Sequence, residues 1–150
     1  MKVAWLARDA SEERGIARSC NGSQGFGPVY KVRRTGMLKV HILSRRRADM
    51  THEQYVTHWR EVHAPLFASQ PDVKRYVRKY VQCWVTRDKP AGPNLGDTDG
   101  IVELWFDDIA GFNAFANSPS YLNVIRVDEE RFTDPKKCEY FFSEEHSIIA

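Results

Sequence analysis

The chain has 150 residues, 42% of them hydrophobic and 28% charged, with 22 basic and 20 acidic side chains and a formal net charge of +2. This length supports one well-buried core, and the composition excludes a chain disordered throughout. There is no run of 18 apolar residues, and the N-terminal apolar stretch is only the five residues 3–7, so neither a membrane-spanning helix nor a secretory signal is expected.

The charge is unevenly placed. Residues 1–36 hold seven basic and three acidic groups, which is +4, and leave residues 37–150 at −2. The main body therefore carries no broad nucleic-acid footprint, and neither nucleic acid nor membrane is expected as a partner. Gly and Pro crowd residues 21–28, which read as a linker. Before them, residues 10–17 suffice for two helical turns, too short to stand alone. Residues 1–36 are expected to be a flexible N-terminal extension, with Met37 as an alternative first residue, and residues 37–150 the folded domain.

From Met37 the pattern sharpens. Leu38, Val40 and Ile42 alternate with Lys39, His41 and Leu43, as in a strand. Thr51 starts a helix, with Gln54 at the capping-box position. Tyr55, Trp59, Val62 and Leu66 form its apolar stripe, and Pro65 loosens its last turn. Val73 to Thr86 reads as a long strand, with Tyr76, Tyr80 and Trp84 on one face and Val77, Val81, Cys83 and Val85 on the other. Residues 89–97 are a loop. Ile101 to Asp107 is a third strand, its faces Val102, Leu104, Phe106 and Ile101, Glu103, Trp105. Ile109 to Asn117 is a short helix carrying Phe112 and Phe115. Ser118-Pro119 opens another, running through Glu130. Cys138 to Ile149 is a fourth strand.

The order β-α-β-β-α-β is that of an α+β, ferredoxin-like fold with an antiparallel sheet. Two helices bury one sheet face. The other face reads as carrying large residues where a solvated face would be polar, so it is expected to pair with a second copy, forming a homodimer through the sheet face. Cys20, Cys83 and Cys138 are odd in number and far apart, which fits neither a disulfide framework nor a zinc knuckle and points to a cytoplasmic home.

Trp59-Arg60-Glu61-Val62-His63-Ala64-Pro65-Leu66 resembles the WRxxHAPL signature of the EthD family. Residues 37–46, 99–107 and 144–146 resemble its first, third and closing strands, so the likeness spans roughly 37–149 and omits 1–36. The resemblance implies a dimeric α+β barrel, two ferredoxin-like sheets face to face. The founding member is associated with ethyl tert-butyl ether degradation. Related barrels include muconolactone isomerases, polyketide cyclases, anthrone oxygenases and fungal decarboxylases or dehydratases. Many of them work without metal or organic cofactor, and none is expected here. The superfamily also holds haem binders, so fold alone does not choose the chemistry.

His63 is the leading candidate for chemistry, because an imidazole gives or takes a proton near neutrality. It lies one turn beyond Trp59, facing the groove between helix and sheet. The bland alternative is a structural histidine bonded to a backbone carbonyl near Pro65. His41 is a second acid or base, or else a half-buried His bonded to a neighbour. Glu103 interrupts an apolar strand and must be paired or reach water. It either assists a histidine or makes a salt bridge with Arg75, Arg78 or Lys79. His58 and His63 diverge by about 140° on an α-helix, so they do not chelate a metal together, and His52 and His58 are expected to face solvent. Trp59, Leu66, Trp105 and His146 are candidate pocket residues around a small hydrophobic ligand, with core or interface roles as the alternative. The functions expected are cofactor-independent proton transfer on a small hydrophobic carbonyl or aromatic compound (isomerisation, cyclisation, dehydration or decarboxylation), with His63, Glu103 and His41 as catalytic groups. The alternative is a non-catalytic dimeric module that binds such a ligand or assists a degradation oxygenase.

Overall fold

The computed structural model describes residues 36–86, 88 and 96–149. The proposed extension, but for Gly36, and most of the 89–97 loop lie outside the described residues. Strands β1 (Leu38–Ser44), β2 (Val77–Trp84), β3 (Gly100–Phe106) and β4 (Glu139–Glu144) form one sheet in the order β2-β3-β1-β4. Every neighbouring pair is antiparallel. This is the ferredoxin-like α+β arrangement expected from the element order.

Alternation along β1 and β3 sends Val40, Leu104 and Phe106 to the helix-covered face, where Phe67, Val73, Phe115 and Ile125 complete a buried core. A second buried cluster joins Tyr55, Trp59 and Phe132. The open face carries Lys39, His41, Glu103 and Trp105. It is less apolar than the sequence suggested, because Tyr76 and Tyr80 pack on the helix-covered side and Val77 joins them there. A register shift between Val77 and Lys79 puts both Val77 and Tyr80 against the core, which a regular period of two forbids.

The long strand expected from Val73 begins late. Pro71 to Tyr76 is a helical turn and a half, α3. Proline fits the first helical position, Gln70 before it is extended, and Val73 anchors the turn in the core. The fourth strand ends early, at Glu144, because its partner β1 begins at Leu38 opposite it.

The helix from Thr51 is capped as read: Thr51 Oγ1 accepts the Gln54 N–H at 3.1 Å, and Gln54 Oε1 accepts the Thr51 N–H at 2.8 Å. Its course is α1 (His52–His58), a π turn (Trp59–His63) and α2 (Ala64–Ser69), without a break. Pro65 has no N–H to offer the carbonyl four residues back. The preceding turn widens, and Ala64 N–H bonds to the Trp59 carbonyl five residues back. After α4 (Ile109–Ala116), Ser118 Oγ accepts the Tyr121 N–H at 3.2 Å. A second π turn (Tyr121–Ile125) leads into α5 (Arg126–Phe132). Among the described residues no helix is long and apolar enough to cross a membrane.

Candidate functional site

The first π turn shapes the site. On a regular α-helix, residues five apart point away from each other, which is why His58 and His63 were expected to diverge. A turn of i→i+5 bonding brings such residues into line. Both rings consequently reach Asp128 of α5. His63 Nδ1 lies 3.0 Å from Oδ2 and His58 Nε2 lies 3.1 Å from Oδ1. His58 is thus a partner of the buried carboxylate, stacked on Phe132 with ring centroids 4.8 Å apart. His63 and Asp128 are 3% and 2% exposed. Arg131 approaches the same carboxylate at 3.6 Å.

A carboxylate only accepts, so His63 donates through Nδ1 and keeps its lone pair on Nε2. Burial lowers the His63 pKa from its ordinary value, against the opposing pull of Asp128. The ring is therefore a neutral base at neutral pH, already oriented and backed by a negative charge.

His63 lines a cavity of about 50 Å³ between helices and sheet. Trp59, Phe67, Val102, Leu104 and Phe132 give it apolar walls, and Glu129, Tyr80, Tyr140, Ser44 and Cys138 add polar groups. Pro135 is the one exposed residue of the lining. Burial pushes the Glu129 carboxyl up to about 7, the neighbouring Asp128 charge adds to the rise, and Tyr121 Oη donates to Glu129 Oε2 at 3.3 Å. At neutral pH Glu129 is held near the midpoint of its titration, able to carry or accept a proton.

The residues expected to share a site with His63 separate. Trp59 lines the cavity with it; Leu66 is partly buried next to the lining residue Phe67 but outside the lining. His41, Glu103 and Trp105 lie on the opposite, open face of the sheet, because the odd positions of β1 and β3 point there. There Glu103 pairs with Lys39 at 2.7 Å, not with the arginines or lysine of β2 and its approach. His41 sits 3.5 Å from Glu103 and 2.9 Å from Ser143 Oγ. Trp105 lies under the ammonium groups of Lys39 and Lys79, 4.4 and 4.3 Å from its ring centroid, and donates to Glu145 at 2.8 Å. His146 is exposed beyond the end of β4. His52, expected in solvent, is half-buried, 3.4 Å from Asp99.

Asp128 and Glu129 were missed, although a signal was present. Tyr121, Ile125, Asp128, Glu129 and Phe132 follow helical spacing, so two carboxylates occupy the stripe that packs inward. An acid at such a position must be paired, protonated or in use.

The sheet, its helical cover and a histidine-lined cavity between them define an α+β protein of ferredoxin-like fold. The EthD domain profile matches residues 47–136, more than half of the chain, and the chain belongs to this family. Solved structures agree on the fold. An ethyl tert-butyl ether degradation (EthD) family protein from Bacillus halodurans superposes with a TM-score of 0.55 at 16% identity, over 73% of this chain and 99% of the other. A dimeric protein of ferredoxin-like fold from Bacteroides fragilis gives 0.51 at 16%, over 73% and 97%. A variant of SnoaB, a cofactor-independent oxygenase from Streptomyces nogalater, gives 0.50 at 12%, over 76% and 97%. Among curated proteins there is no match.

Proposed function

We propose that the chain binds a small hydrophobic carbonyl or aromatic compound in the cavity beside His63 and moves a proton on it without a cofactor. The observation that carries this reading is the buried His63–Asp128 pair lining the same cavity as Glu129. His63 Nε2 takes a proton from carbon, Asp128 stabilises the imidazolium that forms, and Glu129 gives or receives the second proton. Isomerisation, cyclisation and dehydration next to a carbonyl all begin with this step. His41 and Glu103 have no part in it, since the sheet stands between them and the cavity.

The test is α-deuterium exchange of small enolisable ketones in heavy water, followed by NMR. Wild type exchanges above background, with a rate that falls on acidification as His63 protonates, at a midpoint below the ordinary histidine value. His63→Gln loses about 10²-fold or more of that rate. Wild-type exchange at background overturns the reading, and bound ketone without exchange favours a binding module.

The open sheet face belongs to the same reading. We infer that it is covered by a second copy of the chain; the Bacteroides fragilis protein of ferredoxin-like fold is dimeric. The pairing of Lys39 with Glu103 leaves the centre of that face neutral, and Phe141 on it is 49% exposed. Sedimentation at micromolar concentration should give the dimer mass, and a monomer there refutes the pairing.

A further inference from the structure

The hydroxyl of Tyr80 is held in an unusual way. Trp59 Nε1 donates to it at 2.8 Å, and Gln82 Nε2 donates to it at 3.0 Å. The amide of Gln82 has one possible orientation. Trp84 Nε1, which can only donate, lies 3.2 Å from Gln82 Oε1, and the Trp59 carbonyl, which can only accept, lies 3.2 Å from Nε2. Both N–H groups therefore point at the Tyr80 oxygen and occupy its acceptor capacity. The remaining valence of that oxygen is its own hydrogen, and both side chains bonded to it among the described residues, Trp59 and Gln82, are donors. Tyr80 lines the cavity.

We propose that the Tyr80 hydroxyl is the carbonyl-binding donor of the site, and that the ligand class is an enolisable carbonyl compound whose oxygen accepts its hydrogen bond. This rests on the reading of His63 above and specifies its ligand. Two donors into a hydroxyl withdraw electron density from it and strengthen its outward bond. The same two donors fix its direction, so no reorganisation is needed as charge develops. In the reaction His63 Nε2 removes the α-proton. The C–H pair becomes the carbon–carbon double bond and the carbonyl π pair moves onto oxygen. Tyr80 keeps its proton throughout and donates a hydrogen bond that strengthens as the oxygen becomes an enolate. The proton, or a deuteron from solvent, returns to carbon from His63 or Glu129. The pair thus divides the work: a base from the π turn of the helix, and an oxyanion donor from the sheet beneath it.

The test uses acetone, the smallest enolisable ketone, and isotope-edited infrared difference spectra of its carbonyl stretch. With the wild-type chain a band displaced to lower frequency than that of acetone in water is expected. In Tyr80→Phe the displacement is lost, and α-exchange falls about 10²-fold, the scale of one oxyanion donor. Because Tyr80→Phe also strands the Trp59 and Gln82 N–H groups, 3-fluorotyrosine incorporated at position 80 supplies the second arm. Its more acidic hydroxyl deepens the displacement with the fold retained. No displaced band in the wild type at any acetone concentration, or the same band in Tyr80→Phe, overturns the proposal. A displaced band that depends on Tyr80, with no α-exchange, upholds this donor while refuting the proton chemistry of His63.

Discussion

Asp128→Asn should reduce α-exchange by about 10³-fold while leaving the cavity its shape. Asp128 is 2% exposed and bonds to His63 Nδ1 at 3.0 Å. As a carboxylate it accepts only, so it forces the hydrogen onto Nδ1 and the lone pair onto Nε2. An asparagine amide also donates. With its NH₂ turned to His63, it selects the other tautomer, and Nε2 carries a hydrogen and is no longer a base. Even in the correct tautomer the ring becomes a weaker base, because Asp128 is the group that holds the His63 pKa up against burial. The exchange assay reads the loss, and imidazole nitrogen shifts by NMR read the tautomer. A full rate in Asp128→Asn would show that His63 does not act through this pair.

Gly100→Ala should destabilise the fold by about 1–3 kcal/mol, lowering the thermal midpoint by about 5–15 °C. A Cβ on Gly100 would collide with Trp59 Cζ3 and stand 3.0 Å from both Trp59 Cη2 and Tyr55 Oη. Neither ring has room to retreat. Trp59 is 1% exposed and tied to Tyr80, and Tyr55 is fully buried against Trp59 and Phe132. Gly100 opens β3 where it pairs with both Ser44 and Trp84, so the backbone cannot slide away without unpairing two strands. Thermal unfolding followed by circular dichroism measures the cost. An unchanged midpoint would mean that the indole moves freely, and would remove the rigidity on which the Tyr80 geometry depends.

Much of the fold was legible locally. The alternation in β1 and β3, the Thr51–Gln54 capping box and the Ser118-Pro119 start each act over a few residues, and each appears where it was read. Residues 73–76 were not, because Val-Lys-Arg-Tyr suits strand and helix alike and the core contact of Val73 decides. The bulge after Val77 was hidden for the same reason: it is a property of the pairing with β3.

The site divides along the same line. His63 and Trp59 were legible, since four residues of one helix put them on one side whatever the fold. Glu103, His41 and Trp105 were candidates by residue type, with His41 not tied to the site of His63, and only the packing of the helices on one sheet face tells that all three lie on the side away from the cavity. Asp128 and Glu129 show the converse: 65 residues separate Asp128 from His63 along the chain, and only the packing of α5 on the π turn brings them together.

The net charge of +2 divides into +4 over residues 1–36 and −2 over residues 37–150, and this, like the family signature around His63, is determined by sequence alone. What only the tertiary structure decided is the surroundings of the cavity's polar groups. Asp128 meets the His63 ring, burial raises the Glu129 carboxyl to about 7 and two N–H groups donate to the Tyr80 hydroxyl, because burial and hydrogen bonding act between elements distant in the chain.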